Sequence, residues 1–137
     1  MTHSVTPQEA LIYVMVTISA ADASMSDPEL MEIGDVVRTL PVFREFNQDD
    51  ILVVAQAASR ILGGEDGLKK MLNTVADALP VKMHDTAYAV AVEVAASDLS
   101  VNQEELRFLQ MLRDRLGLDK LTIAAIERSA QARFRTL

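Results

Sequence analysis

Two pairs of acids, Asp22 with Glu29 and Asp98 with Glu105, are the residues whose type and spacing point most directly to chemistry. Carboxylate oxygens, joined by Ser24, Ser100 or Asn102 and by loop carbonyls, suit a hard divalent cation such as Ca²⁺ or Mg²⁺. Glu32 and Glu104 stand close enough in sequence to add oxygens. The same acids have a purely structural use. Glu29 and Glu105 occupy the position from which a capping-box acid returns a hydrogen bond to the N-cap backbone. Asp22 and Asp98 can accept loop N–H groups and favour the positive end of the following helix. An EF-hand is excluded by counting, because its loop needs glycine at position six and glutamate at position twelve. From Asp22 those positions hold Asp27 and Ile33, and from Asp98 they hold Gln103 and Leu109. A second use of the acids is recognition: Glu29, Glu32 and Asp35 recur at three-residue spacing and form an acidic face for a protein partner.

Other chemistries find no support. With no cysteine, thiolate metal sites, disulfides and cysteine nucleophiles are ruled out. The two histidines, His3 and His84, have no H-E-x-x-H spacing, and His84 reads as a first-turn helix residue. No G-x-S-x-G elbow is present. Gly63-Gly64-Glu65-Asp66-Gly67 lacks the Lys-Ser/Thr of a phosphate loop and reads as a helix stop and turn. Glu93, inside the apolar run from Ala87 to Ala96, is placed at the edge of a buried face. Arg128, Arg133 and Arg135 complement the negative end of a last helix. No catalytic constellation emerges, so a non-enzymatic protein is expected.

The elements that hold these residues are helices. Thr6-Pro7-Gln8-Glu9 opens the first, which runs to about Ala21; Ser26-Asp27-Pro28-Glu29 opens the second, to about Leu40. Asn47 caps the third, with Ile51, Val54, Ala55, Ala58 and Leu62 inward, and Gly63-Gly64 closes it. The fourth spans about Asp66 to Leu79, with Leu68, Leu72, Val75 and Leu79 inward, and the fifth about Val81 to Ser97. The alanine content of the fifth allows close backbone approach and makes it a central helix. Asn102-Gln103-Glu104-Glu105 is a capping box that opens the sixth, to about Leu116, with Gly117 at its left-handed end. Asp119 caps the seventh, which carries Leu121, Ile123, Ala124, Ile126 and Phe134. Strand-like alternation is absent, so one compact all-α domain of seven helices is expected over residues 1–137.

Size and charge agree with this. A chain of 137 residues, half of them hydrophobic, buries a core without metal or disulfide staples. The net charge of −7 and 4% aromatic content disfavour nucleic acid. Residues 1–50 hold nine acids and two arginines, while residues 101–137 hold five acids and seven bases. That asymmetry suits a protein or cation partner at the acidic front. The longest apolar stretch, Ala10 to Ala21, is too short to span a bilayer. The first residues carry no basic n-region, and a cytoplasmic location is expected.

A shift of 76 residues aligns Ala20/Ala96, Asp22/Asp98, Ser24/Ser100, Glu29/Glu105 and Leu30/Leu106, and downstream Ile33/Leu109, Val36/Leu112 and Leu40/Leu116. The expectation is a duplicated helix–loop–helix, copies about 7–40 and 81–116, related by a pseudo-two-fold axis. The repeated Asp-x-x-hydrophobic-cap-x-x-Glu-Leu resembles the A-D-G-x-hydrophobic-S-x-x-E signature that occurs twice in TerB-like tellurite-resistance domains. Leu79-Pro80 through Leu118 looks like that family's second half. Ala23 and Leu99 stand where the family has glycine. The resemblance implies a bacterial, seven-helix protein that serves tellurite resistance or a related stress response through protein contacts. Some members carry a chaperone J-domain; no His-Pro-Asp occurs here, so co-chaperone activity is not implied.

Overall fold

The computed structural model describes residues 4–19, 27–97 and 101–137. Its described residues form seven α-helices: α1 Pro7–Ser19, α2 Asp27–Thr39, α3 Ile51–Gly63, α4 Gly67–Ala78, α5 His84–Ser97, α6 Gln103–Leu116 and α7 Lys120–Arg133. No strand occurs among them.

Every residue of α1 from Ala10 to Ile18 is buried. A helix apolar around its whole circumference belongs inside a bundle, where all its faces meet protein. Thr17, within that run, donates its hydroxyl to the Tyr13 carbonyl at 2.7 Å, which satisfies the donor inside the helix's own backbone. Helix α5 is the second interior element, with Ala87, Tyr88, Val90, Ala91, Val92, Val94 and Ala95 buried. These two helices pack on each other. Around them, α3 and α4 lie against α1, and α6 and α7 lie against α5. The alanines of α5 are what let its neighbours approach closely.

Local signals set most of the ends. The Asn102 side chain accepts from the Glu105 backbone N–H at 2.7 Å, and Glu105 accepts from the Asn102 N–H at 3.4 Å, closing the expected capping box. Gly117 ends α6 at φ +66°, the left-handed conformation that favours glycine. Asp119 accepts from both the backbone N–H and the hydroxyl of Thr122, which hold its carboxyl below the usual range. Gly67 answers a different need. A Cβ there would stand 2.2 Å from the Leu62 carbonyl oxygen, so the α3–α4 turn closes only over a residue without a side chain.

Two helix starts differ from expectation. Asn47 caps a 3-10 turn, Gln48–Asp50, by accepting from the Asp49 N–H at 2.9 Å, and α3 begins only at Ile51. Likewise Val81–Met83 is a 3-10 turn, closed by the Met83 N–H to the Pro80 carbonyl at 2.8 Å, and α5 begins at His84. In both cases a bond across three residues forms before the first α-helical one, a tightening common at helix ends. Met71 is fully buried on α4, beside the expected Leu72, Val75 and Leu79. Helix α7 is the outer layer: only Ala130 is buried, Ile123 and Ile126 pack against the core, and Leu121 is 80% exposed.

The halves proposed from the 76-residue shift correspond to α1–α2 and α5–α6. Ile33, Leu109, Val36 and Leu112 are all buried, but Leu30 packs against the core while its counterpart Leu106 is 50% exposed. The two bends that carry the repeated motif, at residues 20–26 and 98–100, lie outside the described residues.

Candidate functional site: the acidic flank of α2

Helix α2 buries Ile33, Gly34, Val36 and Val37, which turns Met31, Asp35 and Arg38 to solvent. Glu29 and Glu32 lie between, half-buried on the flank. Placing a carboxylate there has a measurable consequence. Burial is the larger cause that pushes the Glu32 carboxyl above its ordinary value, and the negative charge of Glu93 on α5 adds to it. Asp35 is different in kind: it is exposed and paired with Arg38 one turn along the same helix. Met31, 68% exposed, adds an apolar side chain to the solvent face of the same helix. The expected trio Glu29, Glu32 and Asp35 therefore does share one helix, with two members on the flank and one on the outer face.

Glu93 occupies the edge of the buried face of α5, as expected, and is held by α7. Arg133 Nη1 donates to Glu93 Oε1 at 3.0 Å, and Nη2 lies 2.6 Å from Oε2 as an ion pair that makes no hydrogen bond to that buried oxygen. One charge-assisted hydrogen bond thus joins the guanidinium to the carboxylate. Arg133 thus works as a tertiary clasp between α5 and α7, in addition to standing at a helix's negative end. Forty residues separate the partners in sequence. Only a packed pair of helices brings them together.

The expected cation set is divided. Asp22 and Asp98 lie outside the described residues. Glu105 is buried and engaged in the α6 capping box, the structural use open to it from the sequence. Glu29 is on α2, half-buried. Among the described residues, no group of three or more His, Asp or Glu side chains is arranged to hold a metal ion.

Other polar groups make contacts that no spacing in the sequence announces. Tyr88, fully buried on α5, donates its hydroxyl to Glu127 Oε2 at 2.6 Å, and Arg113 Nη1 donates to the same oxygen at 3.2 Å. Burial, then the bond to Glu127, pushes the Tyr88 phenol up to about 12. His84 sits in the first turn of α5, as expected, with its two ring nitrogens each 3.3 Å from a carbonyl oxygen, those of Leu116 and Leu79. It joins the ends of α4 and α6 to the start of α5. The only hint of these roles in the sequence is a polar side chain set within an apolar helix, and that hint does not name the partner.

No described helix is long and apolar enough to cross a membrane. No curated protein and no solved structure matches the chain at a significant level. The family model of the tellurite resistance protein TerB matches residues 8–128, which takes in all of α2 to α6 and most of α1 and α7. With that match over most of its length and an all-helical fold to accompany it, the chain belongs to the TerB family of tellurite-resistance proteins.

Proposed function

We propose that this TerB-family chain is a non-enzymatic, cytoplasmic interaction module of tellurite resistance or a related stress response, and that the flank of α2 receives a basic segment of a partner protein. The observation that carries the reading is Glu32. A carboxylate held half-buried beside Glu93 weakens the fold when ionised, and such a cost is typical of a group kept for recognition. A lysine or arginine from a partner would offset that cost, and exposed Met31 supplies an apolar anchor next to it. Glu29 extends the negative surface and Asp35 marks its outer limit.

A second reading, binding of Ca²⁺ or Mg²⁺ through Asp22, Glu29, Asp98 and Glu105, draws support from the same crowding of carboxylates at Glu32 and Glu93. Against it stands the engagement of Glu105 in a helix cap.

One set of variants tests both. Partners retained from cell extract by the wild-type chain are compared with those retained by a Glu29→Gln/Glu32→Gln/Asp35→Asn variant of unchanged helicity. Loss of the retained partners supports the α2 flank, and identical capture rejects it. Calorimetry with millimolar Ca²⁺ or Mg²⁺ addresses the second reading. Heat of binding that disappears in Asp22→Asn/Asp98→Asn supports a cation site, and no heat dismisses it.

A further inference from the structure

A groove of about 680 Å³ opens between α6 and α7. Its floor is apolar: Val92 and Ala95 of α5, Leu109 of α6 and Ala130 of α7 are all buried. One wall is apolar as well but open to water, with Leu106 50% and Val101 41% exposed. Leu106 is the counterpart of Leu30 in the 76-residue shift, and Leu30 packs against the core. The position that one half of the chain covers is left uncovered in the other. An open apolar surface rimmed by charge is a common mark of a contact site.

The charge on the rim is positive. Glu127, the one acid lining the groove among the described residues, accepts from Tyr88 and Arg113 with the same oxygen. Arg113 and Glu127 offset each other, which leaves Arg135 as the net charge of the lining, and Arg128 is exposed on α7 nearby. An occupant that matches this surface presents an apolar side chain among acids on an exposed helix. The chain itself carries such an element. Met31 is 68% exposed on α2, with Glu29 and Glu32 on the flank and Asp35 one turn further on. Within one chain α2 lies on α1 and α5 with Ile33, Val36 and Val37 buried, so the α2 that reaches a groove belongs to another copy. The charge of the whole chain is divided in the same sense. Residues 1–50 hold nine acids and two arginines, against five acids and seven bases in residues 101–137.

We propose that copies of this chain associate head to tail, α2 of one seated in the α6–α7 groove of the next, with Met31 against Leu106 and Val101 and the α2 acids facing Arg135 and Arg128. The apolar contact supplies the burial and the opposed charges set the orientation. The contact joins two different surfaces, so each added copy leaves one α2 and one groove open, and chains or rings can grow. The inference rests on the reading of the α2 flank as a recognition surface and identifies its basic partner as a second copy.

The experiment is analytical ultracentrifugation of the full chain over a concentration series. The average mass of the wild type is expected to rise above that of the monomer with concentration and to fall as salt is added. Met31→Ser/Glu32→Gln disables the α2 side, and Leu106→Ser/Arg135→Glu disables the groove side. Circular dichroism confirms that both variants keep the wild-type helicity. Each variant alone should associate about tenfold or more weakly than the wild type. Mixed in equal amounts, the two should form a dimer that grows no further, since each keeps the surface the other has lost. The proposal is overturned by a wild type that stays monomeric, by association that survives either variant, or by a mixture no heavier than its parts. A monomeric wild type that still loses its cell partners on Glu29→Gln/Glu32→Gln/Asp35→Asn substitution would overturn self-association and leave the α2 reading standing.

Discussion

At the scale of single residues, the carboxylates of this protein divide by what holds them. Glu105 and Asp119 accept backbone N–H groups at helix starts, and Glu93 pairs with Arg133 through one hydrogen bond. Glu32 has its carboxyl pushed upward by the fold, first by burial and then by Glu93. For an acid raised above its unfolded value of 4.5, the stabilising contribution is complete below that value. It is lost as pH rises through the folded-state value, because the unfolded chain then ionises more readily. Ionised Glu32 therefore lowers stability at neutral pH. Glu32→Gln should unfold at a higher denaturant midpoint than wild type at pH 7, with the difference vanishing near pH 4. Urea titrations at the two pH values check this; a variant less stable than wild type at pH 7 would show that Glu32 has a structural role. A variant that is more stable and yet captures less partner would have the signature of a residue held for function. The capping role of Glu105 was legible in Asn102-Gln103-Glu104-Glu105, because a cap depends on neighbours within one turn. The pairing of Glu93 with Arg133 was not, because it depends on how α5 and α7 pack.

At the scale of elements, the helices are bounded by local chemistry that reads directly from the chain. Thr6, Asn102 and Asp119 cap α1, α6 and α7, and Gly117 ends α6 because its φ of +66° favours glycine. The differences from expectation fall at Asn47 and Pro80. Both open 3-10 turns, because the same start signal serves a three-residue bond as well as a four-residue one. The five-residue glycine segment shows how two glycines of one turn differ. Gly67 lies against the Leu62 carbonyl, whereas a Cβ on Gly63 would meet nothing within 4 Å. Gly67→Ala should destabilise by about 1–3 kcal/mol, since backbone must move to admit the methyl. Gly63→Ala, at the end of α3, should be neutral or stabilising by up to about 1 kcal/mol. Thermal unfolding of the two variants measures the contrast, and equal effects would contradict the close α3–α4 turn.

At the scale of the whole molecule, α1 and α5 are the pair around which the other helices are laid, and the energetics should follow that arrangement. Ile12, fully buried in α1, should cost about 2–5 kcal/mol when cut to alanine. Leu121, 80% exposed on α7, should change stability by no more than about 0.5 kcal/mol. Denaturant midpoints with unchanged slope would establish the contrast; similar losses at both sites would place α7 in a shielded setting. Helix spacing alone does not separate these two residues, since each is an aliphatic side chain in a helical stretch. What separates them is that α1 has neighbours on every side and α7 on one. The sequence by itself determined the helical class, most boundaries, the caps and the TerB resemblance, because periodicity and capping act over a few residues. Only the tertiary structure decided that the charge of Glu93 reaches Glu32, that Arg133 clasps α5, and that the Tyr88 hydroxyl bonds Glu127. Those contacts join residues about forty or more positions apart. Such pairings come from the packing of whole helices and leave no local trace in the chain.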